Sequence, residues 1–331
     1  SSAASDVYKR QYQEFIQDVL DLIEFANGAS DSGWGRIRAQ MGHPEPFGLE
    51  YIWIGNEQWQ TARVDFFERY DDFEKAIHAK YPEIKLISSA GPTVHTPTYE
   101  AAWENYHAKA KNNSNYTYAV DEHYYVSPQW MYDHVDHYDD YPRDIAVFAG
   151  EYAAHTEKKE NSMESALAEA ALLTGIEKNA DVVKLASYAP LFNRIGHSQW
   201  KPDMIWFDDE KVYLTPNYFV QQLFANHVGD ETIPMDGQEK ELRKDGIYVS
   251  LSRTNNGETI LKAVNVNDSE YTLPLTDYED VPVEAIGHAW VLEGTGEIPD
   301  GMPEITDVRQ TNLQIIGDVT IPAQSFMVIR F

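Results

Sequence analysis

The sequence predicts an α/β region followed by an all-β region, and three observations carry that reading. Between residues 12 and 229, strand-like apolar runs alternate with helical patterns, the order that gives a parallel sheet joined by right-handed crossovers. Those runs are apolar nearly throughout, as parallel strands covered on both faces should be. After about residue 229 the texture changes to short alternating or β-branched runs, broken by Asn-Asn-Gly, Asn-Asp and Pro. With no helical pattern between them, these runs indicate a β-sandwich.

The elements follow in order. Residues 12–27, YQEFIQDVLDLIEFAN, place apolar side chains at helix spacing, and Gly28 stands where a C-terminal cap belongs. Residues 28–48 are rich in Gly and Pro and predict a loop. LEYIWIGNE, residues 49–57, is a strand, and residues 64–80 a helix. EIKLISSAG is a second strand, ended by Gly91-Pro92. A helix over 98–112 precedes the strands YTYAVDEHYY and AVFAGEYAA. SMESALAEAALLTGIEKNA is a helix with Ser162 or Ser165 as N-cap. VVKLASYAPLF is a fifth strand, and residues 215–229 a last helix. The sandwich strands are GIYVSLSRT, ETILKAVNVN, YTLPLT, VEAIGHAWVLEG, LQII and SFMVIRF.

Five strands fit the α/β region, whereas a closed (β/α)8 barrel needs eight. Either the sheet is a smaller open one, or three strands precede the chain. The opening residues favour the second. Asp6-Val7-Tyr8-Lys9-Arg10-Gln11 resembles the in-frame translation of a transposase adapter used to prepare sequencing libraries, so residues 1–11 are read as a non-native leader. The expected domains are then 12–228, the C-terminal part of a barrel, and 229–331, the sandwich. Any targeting signal would lie outside the chain, which leaves localisation open.

Composition narrows the function. Asp plus Glu number 54 against 26 Lys plus Arg, a net charge of −28. That argues against nucleic acid and against an anionic membrane surface as partners. No run is apolar enough to span a bilayer. With no Cys there are no disulfides and no thiolate chemistry. Aromatics reach 13%, with 8 Trp and 21 Tyr, a supply suited to flat polar ligands such as sugars and equally to a large core.

In a barrel the chemistry sits at the C-terminal ends of the strands. Asn56-Glu57 ends the first strand, Asp121-Glu122-His123-Tyr124-Tyr125 the third, Gly150-Glu151-Tyr152 the fourth, and Ser187-Tyr188 the last. Two Glu residues on different strand ends are what glycosidic cleavage requires. One gives a proton to the departing oxygen, and the other attacks the anomeric carbon or activates water. A Gly ahead of each permits a close backbone approach.

YIWIGNEQW, DEHYY, FAGEYAAH, SYAPLF with the following W-x-P-D-x-I-x-F, and GHPEPF ahead of the first strand together resemble glycoside hydrolase family 51, best known for α-L-arabinofuranosidases. The resemblance runs from about residue 12 to the end. It implies a clan of retaining enzymes whose acid/base follows barrel strand four and whose nucleophile follows strand seven. The strand at 49–54 becomes strand four and the others strands five to eight. Glu57 is then the acid/base and Glu151 the nucleophile. Asn56 would bond the sugar 2-hydroxyl, and His123 and Tyr125 would line the sugar site. Trp200 is a candidate stacking platform. No cofactor and no metal are implied. The substrate is an arabinose-containing oligo- or polysaccharide, with an endo-β-1,4-glucanase or xylanase, or a non-catalytic carbohydrate-binding fragment, as alternatives. A homo-oligomer of the full-length protein is left open. A partial barrel has open edges, so the chain alone is expected to be unstable or inactive. A metal hydrolase lacks its ligand spacing here, and a Ser-His-Asp hydrolase lacks its G-x-S-x-G elbow.

Overall fold

The computed structural model describes residues 2–58, 66–235, 237–276, 278, 281 and 284–331, with side chains from residue 12 onward. The adapter-like side chains, Trp59, the first residues of the helix expected over 64–80, and Val283 therefore lie outside the described residues. The chain divides into two compact units, residues 1–122 with 144–148, and residues 123–143 with 149–331.

Five strands, β1 (Tyr51–Trp53), β2 (Lys85–Ser89), β3 (Ala119–Val126), β4 (Ala146–Ala154) and β5 (Val183–Tyr188), form one sheet in the order β1-β2-β3-β4-β5. The β1–β2 and β2–β3 pairs are parallel, with Ile52 opposite Leu86 and Ser88 opposite Val120. Spatial order equals chain order, as successive crossovers require. This is the expected half-barrel sheet. The expectation of strands covered on both faces holds for β2 and most of β3 but not for the end strands. Trp53 on β1 is 39% exposed and Leu185 on β5 36%. An end strand has a neighbour on one side only, so its side chains lack half their cover.

In the first unit, α1 (Ser2–Asn27) buries Ile16, Ile23 and Ala26 and leaves Phe15 and Leu22 outside, so only part of its apolar pattern is core. The Gly28 N–H closes on Glu24 O at 2.7 Å, the expected cap. The Asn27 side chain bonds both the N–H and the C=O of Leu49, each at 2.7 Å, which anchors the chain as it enters β1. The helices α3 (Phe66–Lys80) and α4 (Pro97–Ala110) follow. Thr96 caps α4 by accepting the Tyr99 N–H, with Pro97 in the first turn. Tyr70 and Tyr106 are fully buried and pack edge to face at 5.8 Å, so part of the aromatic excess is core.

The loop expected over 28–48 contains a helix, α2 (Gly33–Gln40), capped by Ser32 accepting the Gly35 N–H at 3.2 Å. Two glycines depress its intrinsic propensity. A Cβ on Gly35 would meet Ala29 O at 2.1 Å, so close packing keeps that position bare. The helix carries Arg38, which is fully buried and donates to five carbonyls: His43 O at 3.0 Å, Phe25 O at 2.8 Å, Ala26 O at 3.2 Å, Gly28 O at 2.7 Å and Pro44 O at 3.1 Å.

In the second unit, α6 (Met163–Lys178) is buried along nearly its whole length, because small Ala side chains let neighbours approach on every side. Ser162 is its N-cap residue, and the Ser162 N–H donates to Ser165 Oγ at 3.0 Å, so both expected serines take part. Several short elements differ from the expected order. The helix α5 (Pro128–Asp133) is only 6 residues long, too short for periodicity to register. The run read as one strand to Phe192 stops at Tyr188, before a Pro without an N–H. It resumes in a separate sheet of β6 (Phe192–Arg194), β7 (Ile205–Phe207) and β8 (Val212–Leu214). After α7 (Pro216–Asn226) and the short β9 (Glu231–Thr232), α8 (Gln238–Lys244) interrupts the all-β region. It is set by Glu239 and Glu241 in its first turn and Arg243 and Lys244 in its last rather than by an apolar face.

The remaining strands are β10 (Ile247–Arg253), β11 (Thr259–Asn265), β12 (Tyr271–Pro274), β13 (Glu284–Glu293), β14 (Val308–Ile316), β15 (Asp318–Ile321) and β16 (Ser325–Arg330). They make an antiparallel sheet, β14-β13-β16-β11-β10-β9, and a ribbon, β12-β15. Leu251, Leu261, Ala263, Met327 and Ile329 of the sheet share a core with Leu273, Val319 and Ile321 of the ribbon, the expected sandwich. The LQII run is only the end of β14, and β15 was not anticipated. No helix among the described residues is long and apolar enough to cross a membrane.

Candidate active site

Glu151 lies on β4 with its side chain 25% exposed, and two residues of β3 reach it. Side chains on a strand alternate between faces, so His123 and Tyr125, two apart, share one side of β3. The Tyr125 hydroxyl donates to Glu151 Oε2 at 2.6 Å. His123 Nδ1 lies 3.5 Å from the same oxygen, with its ring wholly buried. Trp200, in the loop between β6 and β7, is 50% exposed and presents its ring to Tyr125 at 6.2 Å and 63°. Lys159 Nζ covers the Trp200 ring at 5.5 Å. The second unit thus gathers Glu151, His123, Tyr125 and Trp200 in one place.

Glu122, on the other face of β3, accepts the Tyr99 hydroxyl and the Trp103 indole N–H, each at 2.8 Å, and is fully buried. It belongs to the packing behind the first unit's part of the sheet. The alternation within DEHYY therefore separates a structural carboxylate from the two site residues.

Glu57 follows β1. The last ladder bond there is Ile54 N–H to Ile87 O at 2.9 Å, after which Gly55 turns at φ +89°. A Cβ on Gly55 would stand 2.2 Å from Gln58 Nε2 and 2.6 Å from the Phe66 ring, so the turn is closed to other residues. Asn56 is exposed and Glu57 half-buried. Glu57 holds φ +47°, a conformation that costs a non-glycine residue about 1–3 kcal/mol and gathers at functional sites. The glycine argument thus applies to Gly55. Gly150 lies inside β4 and makes no such turn; its carbonyl accepts the Ser187 hydroxyl at 2.6 Å.

The end of β4 is supported from α6. Glu169, fully buried, accepts the Ala154 N–H at 2.9 Å and an Asn217 side-chain N–H at 2.8 Å. Burial outweighs both bonds and pushes its pKa from 4.5 to about 8. The folded protein therefore binds a proton there that the unfolded chain has released, and this contribution to stability is full below pH 4.5 and lost as pH rises towards 8. Urea denaturation midpoints should fall between pH 5 and pH 8, and Glu169→Gln should flatten that slope. Sequence inspection passed over Glu169 because a Glu in a helical pattern reads as a solvated residue.

Residues 1–143 match the family model for the α-L-arabinofuranosidase 1 domain, and residues 135–303, about half the chain, match the α-L-arabinofuranosidase C-terminal domain. The chain belongs to the α-L-arabinofuranosidases of glycoside hydrolase family 51. Within this family it is 47% identical over 220 residues to an extracellular exo-α-L-arabinofuranosidase of Streptomyces chartreusis, covering 66% of this chain and 25% of the relative. It is 34% identical over 269 residues to α-L-arabinofuranosidase 2 of Arabidopsis thaliana, covering 81% of this chain and 37% of the relative. An arabinose-bound family 51 α-L-arabinofuranosidase superposes with a TM-score of 0.77 at 29% identity, over 97% of this chain and 51% of that one. The Thermotoga maritima enzyme in its arabinose complex shares the fold, with a TM-score of 0.70 at 16% identity, over 96% of this chain and 73% of that one. The chain thus spans between a quarter and about three quarters of these family members.

Proposed function

We propose that the whole protein is a retaining glycoside hydrolase that removes terminal α-L-arabinofuranosyl groups from arabinose-containing plant polysaccharides or oligosaccharides. The observation that supports this most is the carboxylate of Glu151 on β4, held by the Tyr125 hydroxyl and faced by buried His123, in a chain of this family. A carboxylate that accepts a hydrogen bond is held in place and aimed, which a nucleophile needs. Glu57 is the acid/base. It protonates the leaving oxygen as Glu151 attacks the anomeric carbon, then takes a proton from the water that releases the sugar. Asn56 bonds the 2-hydroxyl, His123 and Tyr125 line the sugar, and Trp200 stacks against it.

Relatives named as arabinofuranosidases, one of them exo-acting, favour this substrate over the backbone of a β-1,4-glucan or xylan. Replacing Glu57 by Gln should lower kcat by about 10²–10⁴-fold on substrates with poor leaving groups, the usual worth of a proton-transfer residue, with binding retained. A carbohydrate-binding fragment without catalysis would show no such loss. Trp200→Ala should weaken substrate binding by about 0.5–1.5 kcal/mol, read as a several-fold rise in KM at constant kcat.

A further inference from the structure

A ring to which the proposed chemistry gives no part lies against Tyr125. His155, four residues beyond Glu151, stacks its imidazole on the Tyr125 phenol, with centroids 5.4 Å apart and planes 29° from parallel. Its backbone is fixed: the His155 N–H donates to Val126 O at 2.7 Å, one residue past Tyr125. His155 Nε2 is buried with no hydrogen-bond partner among the described residues. Leaving a buried ring nitrogen unpaired is costly, so something else must favour an aromatic ring there. Trp200, a second ring beside Tyr125, meets it edge-on, from a loop and half-exposed. Of these two rings, His155 is the one joined by a backbone hydrogen bond to the strand that carries Tyr125.

We propose that His155 is a positioning residue whose imidazole braces the Tyr125 ring in the orientation that donates its hydroxyl to Glu151, and so sets the aim of that carboxylate. The 2.6 Å bond needs the phenol oxygen placed to within a few tenths of an ångström, and a tyrosine without a brace can swing about its two side-chain torsions. Burial and the nearby Lys159 ammonium both lower the His155 pKa, so the brace stays a neutral ring. Tyr125 is stacked on this ring, and Tyr125 and His123 both face Glu151 Oε2. The catalytic meaning of the brace rests on Glu151 being the nucleophile, whereas the brace itself rests on the stacking geometry.

The test reads Glu151 directly. In the whole protein labelled with carboxyl-13C glutamate, the Glu151 signal is assigned by its loss in Glu151→Gln and its chemical shift is compared among variants at one pH. Tyr125→Phe and His155→Ala should each displace the Glu151 signal, as loss of a hydrogen bond to the carboxylate requires. His155→Phe, which keeps a flat ring, should leave it unchanged, and Tyr125→Phe with His155→Ala should displace it no further than Tyr125→Phe alone. If His155→Ala fails to fold, His155→Leu, which fills space without stacking, should give the same displacement. A Glu151 signal in His155→Ala or His155→Leu that matches the unaltered protein, while Tyr125→Phe displaces it, overturns the proposal. Full turnover by Glu151→Gln would instead overturn the catalytic reading and leave the spectroscopic result standing.

Discussion

Glu151→Ala should abolish turnover of aryl α-L-arabinofuranosides by the whole protein, and added azide should restore it with the product inverted. The loss should exceed the roughly 10²–10⁴-fold that a proton-transfer residue is worth, because no other group can form the glycosyl-enzyme bond. Truncation to Ala opens space where the carboxylate stood. Azide entering there attacks the anomeric carbon directly while the aryloxide leaves, so one displacement replaces two and the product is the β-azide. Glu57→Ala should behave oppositely. With an activated leaving group the first step still runs, and azide then attacks the glycosyl-enzyme from the face the leaving group vacated, giving the α-azide. The two variants therefore assign the two roles independently, by chromatography and NMR of the azides. A β-azide from Glu57→Ala would exchange the assignments, and full activity in Glu151→Ala would remove Glu151 from the chemistry.

Arg38→Ala should destabilise the protein by about 3–5 kcal/mol in chemical denaturation, a large share of a typical stability of roughly 5–15 kcal/mol. The guanidinium binds five carbonyls drawn from the end of α1, the turn at Gly28 and the chain after α2. Each carbonyl left buried without a donor costs about 1–3 kcal/mol, and water can repair only some of them. Arg38→Lys should recover little, since a single ammonium cannot reach five acceptors that the planar fork spans. The segment it holds leads through Asn27 and Leu49 into β1, so losing Arg38 should also loosen the strand that precedes Glu57. Denaturation midpoints of Arg38→Ala within about 0.5 kcal/mol of the unaltered protein, the range of ordinary surface substitutions, would show that the carbonyls find other partners.

Arg38 marks where the sequence stopped being legible. An Arg among Gly, Ser and Pro reads as solvated, and the helix that buries it has only 8 residues and two glycines. The strong periodic segments were legible in type and nearly in extent, because apolar spacing over four turns, or over five to nine strand residues, is set by the core itself. What escaped was short or locally determined: α5 on a Ser-Pro start, α8 on its terminal charges, and the small sheet around Ile205–Phe207. The candidate site divides the same way. Glu57 and Glu151 stood out as carboxylates expected at strand ends, although β4 runs on to Ala154, and His123 and Tyr125 rested on the family resemblance. His155 and Glu169 could not be read from order alone. Their positions depend on a ring stacked across two strands and on a helix packed against a strand end.

The most direct measurement is the configuration of the sugar at the moment of release, followed by proton NMR during rapid hydrolysis of an aryl α-L-arabinofuranoside by the whole protein. A retaining pair formed by Glu57 and Glu151 should give α-L-arabinofuranose first, with the β-anomer growing in only as the sugar mutarotates. Prompt appearance of the β-anomer would mean a single displacement by water, and would contradict Glu151 as a nucleophile.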